Sequence, residues 1–208
     1  MHFQRVDHPV VQHKLTLLRD QRTRPKDFRD LLTEITMLLG YAATSGLPLR
    51  PLSVQTPVGI AEGALLVDPQ PAIVPVLRAG LGMVEGMLRI LPAATVGHIG
   101  LYRDPKTHAP VEYYQNLPPD IDRRHVFVVD PMLATGGSAA AAISIVRSAG
   151  ARSVTLLCLV AAPEGVRVVD EQYPDVPIIG AALDERLNEH DYIVPGLGDA
   201  GDRLYGTL

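Results

Sequence analysis

The chain is poor in the features that would tie it to an oxidising compartment, a membrane or a nucleic acid. It has one cysteine, Cys158, among 208 residues, and a lone cysteine has no internal disulfide partner. That cysteine lies within the apolar run Val154–Ala162. It therefore reads as a core residue, and its isolation fits a reducing compartment. No stretch of about 18 uncharged apolar residues occurs, so no membrane span is expected. The N-terminal residues MHFQRVDHPVVQHK carry no apolar h-region, so no secretory signal is expected and a cytoplasmic location is. Basic charge is not in excess. The formal net charge of −4 argues against a general nucleic-acid-binding surface. The seven histidines show no metal-ligand spacing.

What is present reads as one globular domain over residues 1–208, with 47% hydrophobic and 20% charged residues. Two helices open the chain. In the second, Phe28, Leu31, Leu32, Ile35, Leu38, Leu39 and Ala42 recur at helical spacing, with Pro25 in the first turn and Gly46 at the end. Residues 50–57 read as extended, an edge or a connection because of Pro51 and Pro57. From residue 72, short apolar runs alternate with helices. The runs are 72–77, 94–101, 125–130, 153–161 and 176–183. The helices between them are 82–91, 138–149 and 163–172. This rhythm predicts an α/β fold, a mainly parallel central sheet flanked by helices. Residues 102–124 break the rhythm. They carry Arg103, Lys106, His108 and the alternating segment VEYYQ, and read as a hairpin arm or lid. The stretch from Asp184 onward is loop-rich.

The strongest local signal spans His125–Ser148. Val126–Val129 lead into Asp130, then Pro131, Met132, Leu133, Ala134, Thr135, Gly136, Gly137 and Ser138 precede a helix. A strand–loop–helix junction of this kind aims free backbone N–H groups and the helix dipole at an anion. The two glycines permit close backbone approach, and Thr135 and Ser138 add hydroxyl donors. The loop has no lysine, so it is not a nucleoside triphosphatase P-loop. Asp130, at the carboxyl end of a central strand, would repel a phosphate but would accept sugar hydroxyls. Together these features point to a ribose 5-phosphate.

At this point the string VFVVDPMLATGGS resembles the phosphoribosyl diphosphate (PRPP) signature of the type I phosphoribosyltransferases. Many members carry two adjacent acids, whereas Asp130 is followed by Pro131. That departure matches the uracil branch. The resemblance extends through PVLRAGLGM (75–83), GHIGLYRD (97–104), VEYYQNLP (111–118), LVAAPEG (159–165) and YIVPGLGDAGDR (192–203).

The resemblance implies transfer of a 5-phosphoribosyl group from PRPP to N1 of uracil, giving UMP and diphosphate. It implies that Arg78, in the tight turn Arg78-Ala79-Gly80, and Arg103 contact the diphosphate. Without the resemblance, Arg103 reads as a solvated arginine. The resemblance also implies that the loop Asp130–Ser138 binds PRPP and that the main chain of Ile193, Gly198 and Ala200 reads uracil. Asp199 would face PRPP through Mg²⁺ or water and would also lie beside the base. Magnesium would be held mainly by substrate and water, with no protein metal cage. The C-terminal segment from about residue 184 to residue 208 would form a base-binding hood. A homodimer or larger assembly is implied, and some family members respond to GTP, which leaves GTP as a possible activator. Asp202 beside Arg203 reads as a structural ion pair. Tyr192 can stack on the base or pack, and one of Tyr113 and Tyr114 can cover the site. Two rivals are a phosphoribosyltransferase for another base, which GLGDAGD argues against, and an RNA-binding regulator, which the net charge argues against.

Overall fold

The computed structural model describes residues 3–103 and 110–207. In chain order the elements are β1 (Phe3–Arg5), α1 (Pro9–Arg19), α2 (Pro25–Ala43), β2 (Leu49–Gln55), β3 (Ile60–Leu66), β4 (Ala72–Leu77), α3 (Leu81–Ile90), β5 (Thr95–Val96), β6 (His98–Arg103) and β7 (Pro110–Asn116). A 3-10 turn, Ile121–Arg123, leads to β8 (His125–Val129), β9 (Met132–Leu133), α4 (Gly137–Ser148), β10 (Ser153–Ala161), α5 (Pro163–Gln172), β11 (Ile178–Leu183), β12 (Arg186–Leu187), β13 (Ile193–Val194) and α6 (Ala200–Tyr205).

The main sheet has the order β1-β11-β10-β8-β4-β6-β7, with β5 beside β4 and β9 beside β10. Its pairs are parallel except β6–β7. Its central strands are mostly apolar because both faces are covered. Successive side chains alternate between faces. Phe127, Val129, Leu157 and Leu159 meet α1, α2 and α3 in one core. Val126, Val128, Leu156 and Cys158 meet α4 and α5 in the other. Each such side chain, fully buried, contributes roughly 1.5–3 kcal/mol of transfer free energy. Cys158 is buried as expected, and burial pushes its thiol pKa up. The second helix buries Phe28, Leu32, Ile35 and Leu39, the stripe its periodicity predicts.

Four features depart from the sequence reading. First, β1 is an unforeseen edge strand, held by parallel pairing to β11. Three residues carry too little periodicity to announce it. Second, most of the 50–57 extension is half of a hairpin, paired with β3 through Gln55 and lying off the main sheet. Third, the run 94–101 is two strands, β5 and β6, divided at Gly97. Fourth, the C-terminal stretch is more ordered than a loop, with the β12–β13 pair and α6. Of the arm expected over 102–124, the described part is the antiparallel pairing of β7 with β6, which begins earlier as a strand of the main sheet, while 117–124 lie outside the pair and include the 3-10 turn. Residues 104–109, with Lys106 and His108, lie outside the described residues. Among the described residues, no helix is long and apolar enough to cross a membrane.

Candidate active site

The chain proceeds from β4 toward β6 on one side and from β8 toward β10 and β11 on the other. The strand order therefore reverses between β4 and β8, where open α/β sheets bind their ligands. Both strands end in one cleft of about 570 Å³. The end of β4 delivers Arg78 and the end of β8 delivers Asp130, with Met132–Gly136 and Ser138 along one wall.

The loop between β8 and α4, the candidate phosphate loop, is shaped by its supports. Pro131 is buried rather than lining the cleft, and its C=O accepts N–H groups of Leu159 and Val160 on β10. Gly136 is the N-cap of α4, at φ 86°, and makes no side-chain cap. Thr135 and Ser138 line the cleft. A Cβ on Gly136 would lie 2.8 Å from the Gly165 carbonyl oxygen at the start of α5, so the left-handed conformation and the close packing both require glycine. Gly137 opens α4.

Asp130 accepts the Met132 N–H at 3.2 Å. Desolvation at the cleft floor pushes its pKa up to about 7, the Met132 hydrogen bond opposes this, and the Asp199 charge adds to it. Two carboxylates thus share the cleft.

Arg78 is largely exposed. Its Nη2 lies 3.7 Å from Asp202 Oδ1, and its guanidinium is 5.8 Å from the Tyr205 ring. The Leu77–Arg78 peptide is cis. Gly80 permits the tight turn, since a Cβ there would sit 2.5 Å from the Val129 carbonyl oxygen. Arg103 ends β6 opposite Pro110, and its side chain lies outside the described residues.

A second cavity of about 330 Å³ adjoins the first, and Met132, Ala134 and Asp199 line both. Ile193 and Tyr192 line it too, so the tyrosine faces the cavity rather than packing in the core. Asn188 N–H donates to Tyr192 C=O. The Leu187–Ile193 pair is therefore a non-hydrogen-bonded one, which turns the Ile193 N–H and C=O away from β12. Gly198 has φ 78°, and Ala200 is buried at the start of α6. Asp199 Oδ1 caps that helix by accepting Asp202 N–H at 2.9 Å. Of Tyr113 and Tyr114, Tyr113 lines the first cleft, its ring 6.3 Å from that of Tyr102.

The expected Asp202–Arg203 ion pair is not formed. Arg203 is buried and turns back to donate to the carbonyls of Leu197 (2.9 Å) and Asp20 (2.7 Å). Asp202 faces the Arg78 guanidinium and accepts the Thr207 hydroxyl. Adjacent residues on a helix point in different directions, so one can be drawn into the core while the other faces Arg78. The GLGDAGD string also buries Leu197 and Ala200, so it is anchored by apolar contacts. Two contributors went unread in the sequence. Tyr102 lines the cleft. Glu164 Oε1 accepts the Leu187 N–H at 3.1 Å and ties β12 to α5. Hydrogen bonds from its own amide and from Leu187 hold the Glu164 carboxyl below its usual range. Glu164 lay within the quoted string LVAAPEG, but its partner is 23 positions away.

The reversed strand order, the acid-terminated β8 and the glycine-bearing loop define the class, a type I phosphoribosyltransferase fold. A hypoxanthine phosphoribosyltransferase from Trypanosoma cruzi shares that fold with a TM-score of 0.51 and 14% identity, over 79% of this chain and 71% of its own. Far closer is uracil phosphoribosyltransferase from Dictyoglomus turgidum, 61% identical over 202 residues, 97% of this chain and 98% of the relative. The AQ2163 protein from Aquifex aeolicus superposes with a TM-score of 0.93 and 37% identity, covering 98% of this chain and 97% of that one. The family model for uracil phosphoribosyltransferase matches residues 5–207, and the chain belongs to that family.

Proposed function

We propose that this chain transfers the 5-phosphoribosyl group of PRPP to N1 of uracil, forming UMP and diphosphate in pyrimidine salvage. The observation that carries the reading is the pair of contiguous cavities sharing Met132, Ala134 and Asp199. One suits a phosphorylated sugar and the other a small planar base.

In this reading the segment Ala134–Ser138 holds the 5-phosphate through backbone amides and the Thr135 and Ser138 hydroxyls. Asp130 accepts the ribose hydroxyls. Arg78 and Arg103 meet the diphosphate. As the C1–O bond breaks, the diphosphate departs with the electron pair, and C1–N1 forms with loss of the uracil N1 proton. The arginines stabilise the departing charge, and the main chain orients the base. The Ile193, Gly198 and Ala200 main chain reads O2, N3–H and O4, and Asp199 stands between base and donor. The β6–β7 hairpin would close over the reacting atoms and exclude water.

The donor set fits Mg²⁺ of the kind that keeps its waters. Among the described residues no three or more metal-ligating side chains gather, while the mutually repelling Asp130 and Asp199 leave carboxylate charge in the cleft. Asp199 would hold the ion through water, beside substrate phosphate oxygens. It would supply positive charge at the diphosphate.

We further read residues 1–208 as one catalytic domain, cytoplasmic, acting as a homodimer or larger. The β2–β3 hairpin supports assembly, because Val58 and Ile60 are 98% and 74% exposed on an arm outside both cores. The test is turnover with uracil, cytosine and hypoxanthine, PRPP and magnesium, with and without GTP. Cytosine mispairs with two of three main-chain groups, so its kcat/KM should be lower by roughly 30- to 10⁴-fold. No turnover of uracil, or equal turnover of the three bases, refutes the assignment.

A further inference from the structure

The base loop is gripped from outside the cleft by charged side chains that line neither cavity. Arg19 is the last residue of α1, and Asp184 follows β11. They form a two-point ion pair, with Nη2 to Oδ1 at 2.6 Å and Nη1 to Oδ2 at 2.7 Å. The same two groups close on a single residue of the loop. Arg19 Nη1 donates to the Gly196 C=O at 2.6 Å, and Asp184 Oδ2 accepts the Gly196 N–H at 2.9 Å. The Asp184 side chain is 6% exposed, so the contact is shielded from water.

We propose that the Arg19–Asp184 pair is a positioning clamp that sets uracil affinity and uracil-over-cytosine discrimination by fixing the main chain of the base loop. The proposal rests on the reading of that loop as the uracil site. Main-chain recognition discriminates only if the peptide planes cannot rotate, because rotation exchanges a donor for an acceptor. Gly196, at φ 59°, and Gly198, at φ 78°, leave the peptides between them able to rotate unless held; Arg203 holds the Leu197 carbonyl, and the Arg19–Asp184 pair holds both polar groups of Gly196. Gly196 lies three residues after Ile193 and two before Gly198, so a restraint on both of its polar groups acts on the reading positions from the middle. The turn is tight enough that a Cβ on Gly196 would lie 2.1 Å from the Ile193 carbonyl oxygen. A planar guanidinium meets a carboxylate and a carbonyl together, which a lysine ammonium on a flexible stem does not reproduce.

The experiment uses the full chain carrying Arg19→Lys or Asp184→Asn, with uracil, cytosine and PRPP each varied. A third variant, Arg19→Met with Asp184→Leu, removes both charges so that no buried charge is stranded. Its folding is checked by thermal denaturation. The expected result is a rise of about 10- to 100-fold in KM for uracil, from the loss of charge-assisted hydrogen bonds. The preference for uracil over cytosine should narrow by about tenfold or more. KM for PRPP and kcat at saturating uracil should stay within about threefold. Folded variants with an unaltered uracil KM and unaltered discrimination would overturn the clamp, as would equal damage to both substrates. A wild-type protein that does not turn uracil over would overturn the functional reading and the clamp with it, an outcome distinct from active wild type with indifferent variants.

Discussion

Asp130→Asn measures what it costs to keep an ionisable carboxyl at the end of β8. Desolvation, reinforced by Asp199, raises the native pKa from 3.8 to about 7, while the unfolded chain titrates near the lower value. For a raised acid the sign is definite. Its contribution to stability is fully present below about pH 4 and is lost as pH rises through about 7. About three pH units at about 1.36 kcal/mol each give about 4 kcal/mol as an upper limit, because cleft water solvates part of the charge. Asparagine keeps the shape and cannot ionise. In urea unfolding with a chelator and without substrate, the variant should match wild type near pH 3.5 and already exceed it by up to about 1 kcal/mol at pH 4.5. It should become more stable by about 2–4 kcal/mol above pH 7, which is a melting shift of about 2–4 °C per kcal/mol for a chain of this size. PRPP binding should weaken at the same time, because one of two carboxylate acceptors for the ribose hydroxyls is lost. Parallel stability curves from pH 4.5 to 8, or a variant less stable at pH 8, would refute the reasoning.

Three further outcomes follow from the same geometry. Arg78→Ala should lower kcat/KM for PRPP by about 10- to 150-fold through a lost charge-assisted contact. It should leave the urea midpoint within about 1 kcal/mol, because the exposed Arg78–Asp202 pair at 3.7 Å contributes little; unchanged kinetics would remove Arg78 from the site. Gly136→Ala forces a side chain into φ 86° and against Gly165, so unfolding free energy should fall by about 1–3 kcal/mol, and an unchanged midpoint would show that the loop relaxes freely. If the chain forms the proposed homodimer or larger, glutamates at Val58 and Ile60 should convert it to monomers in sedimentation while the thermal transition persists, and an undisturbed assembly would exclude the hairpin from the interface.

The site was legible unevenly. Asp130 and the loop through Ser138 could be read because their signal is contiguous, an apolar strand followed by an acid, small residues and a helix. The strip Ile193–Ala200, proposed to read uracil, was legible as a string, but its supports were not. Arg203 looked like the natural partner of Asp202 because they adjoin, yet burial over the Phe28 ring, 4.5 Å away, drew it to main-chain carbonyls. Glu164 and Tyr102 stood inside noted segments without a role, since each acts on residues distant in sequence or beyond the element that carries it. The β2–β3 hairpin escaped because exposure on both faces erases the alternation that marks a half-buried strand.

By itself the sequence determined the parallel sheet, its covering helices and the glycine-bearing loop after β8. Periodicity and turn chemistry are written within about ten adjacent residues. Only the tertiary structure decided which strand ends share a cleft, that Met132, Ala134 and Asp199 belong to two cavities at once, and that Arg19 closes on Asp184 and Gly196, 165 and 177 positions away. Such pairings depend on where the sheet brings distant segments together, and no local pattern in the chain encodes that distance.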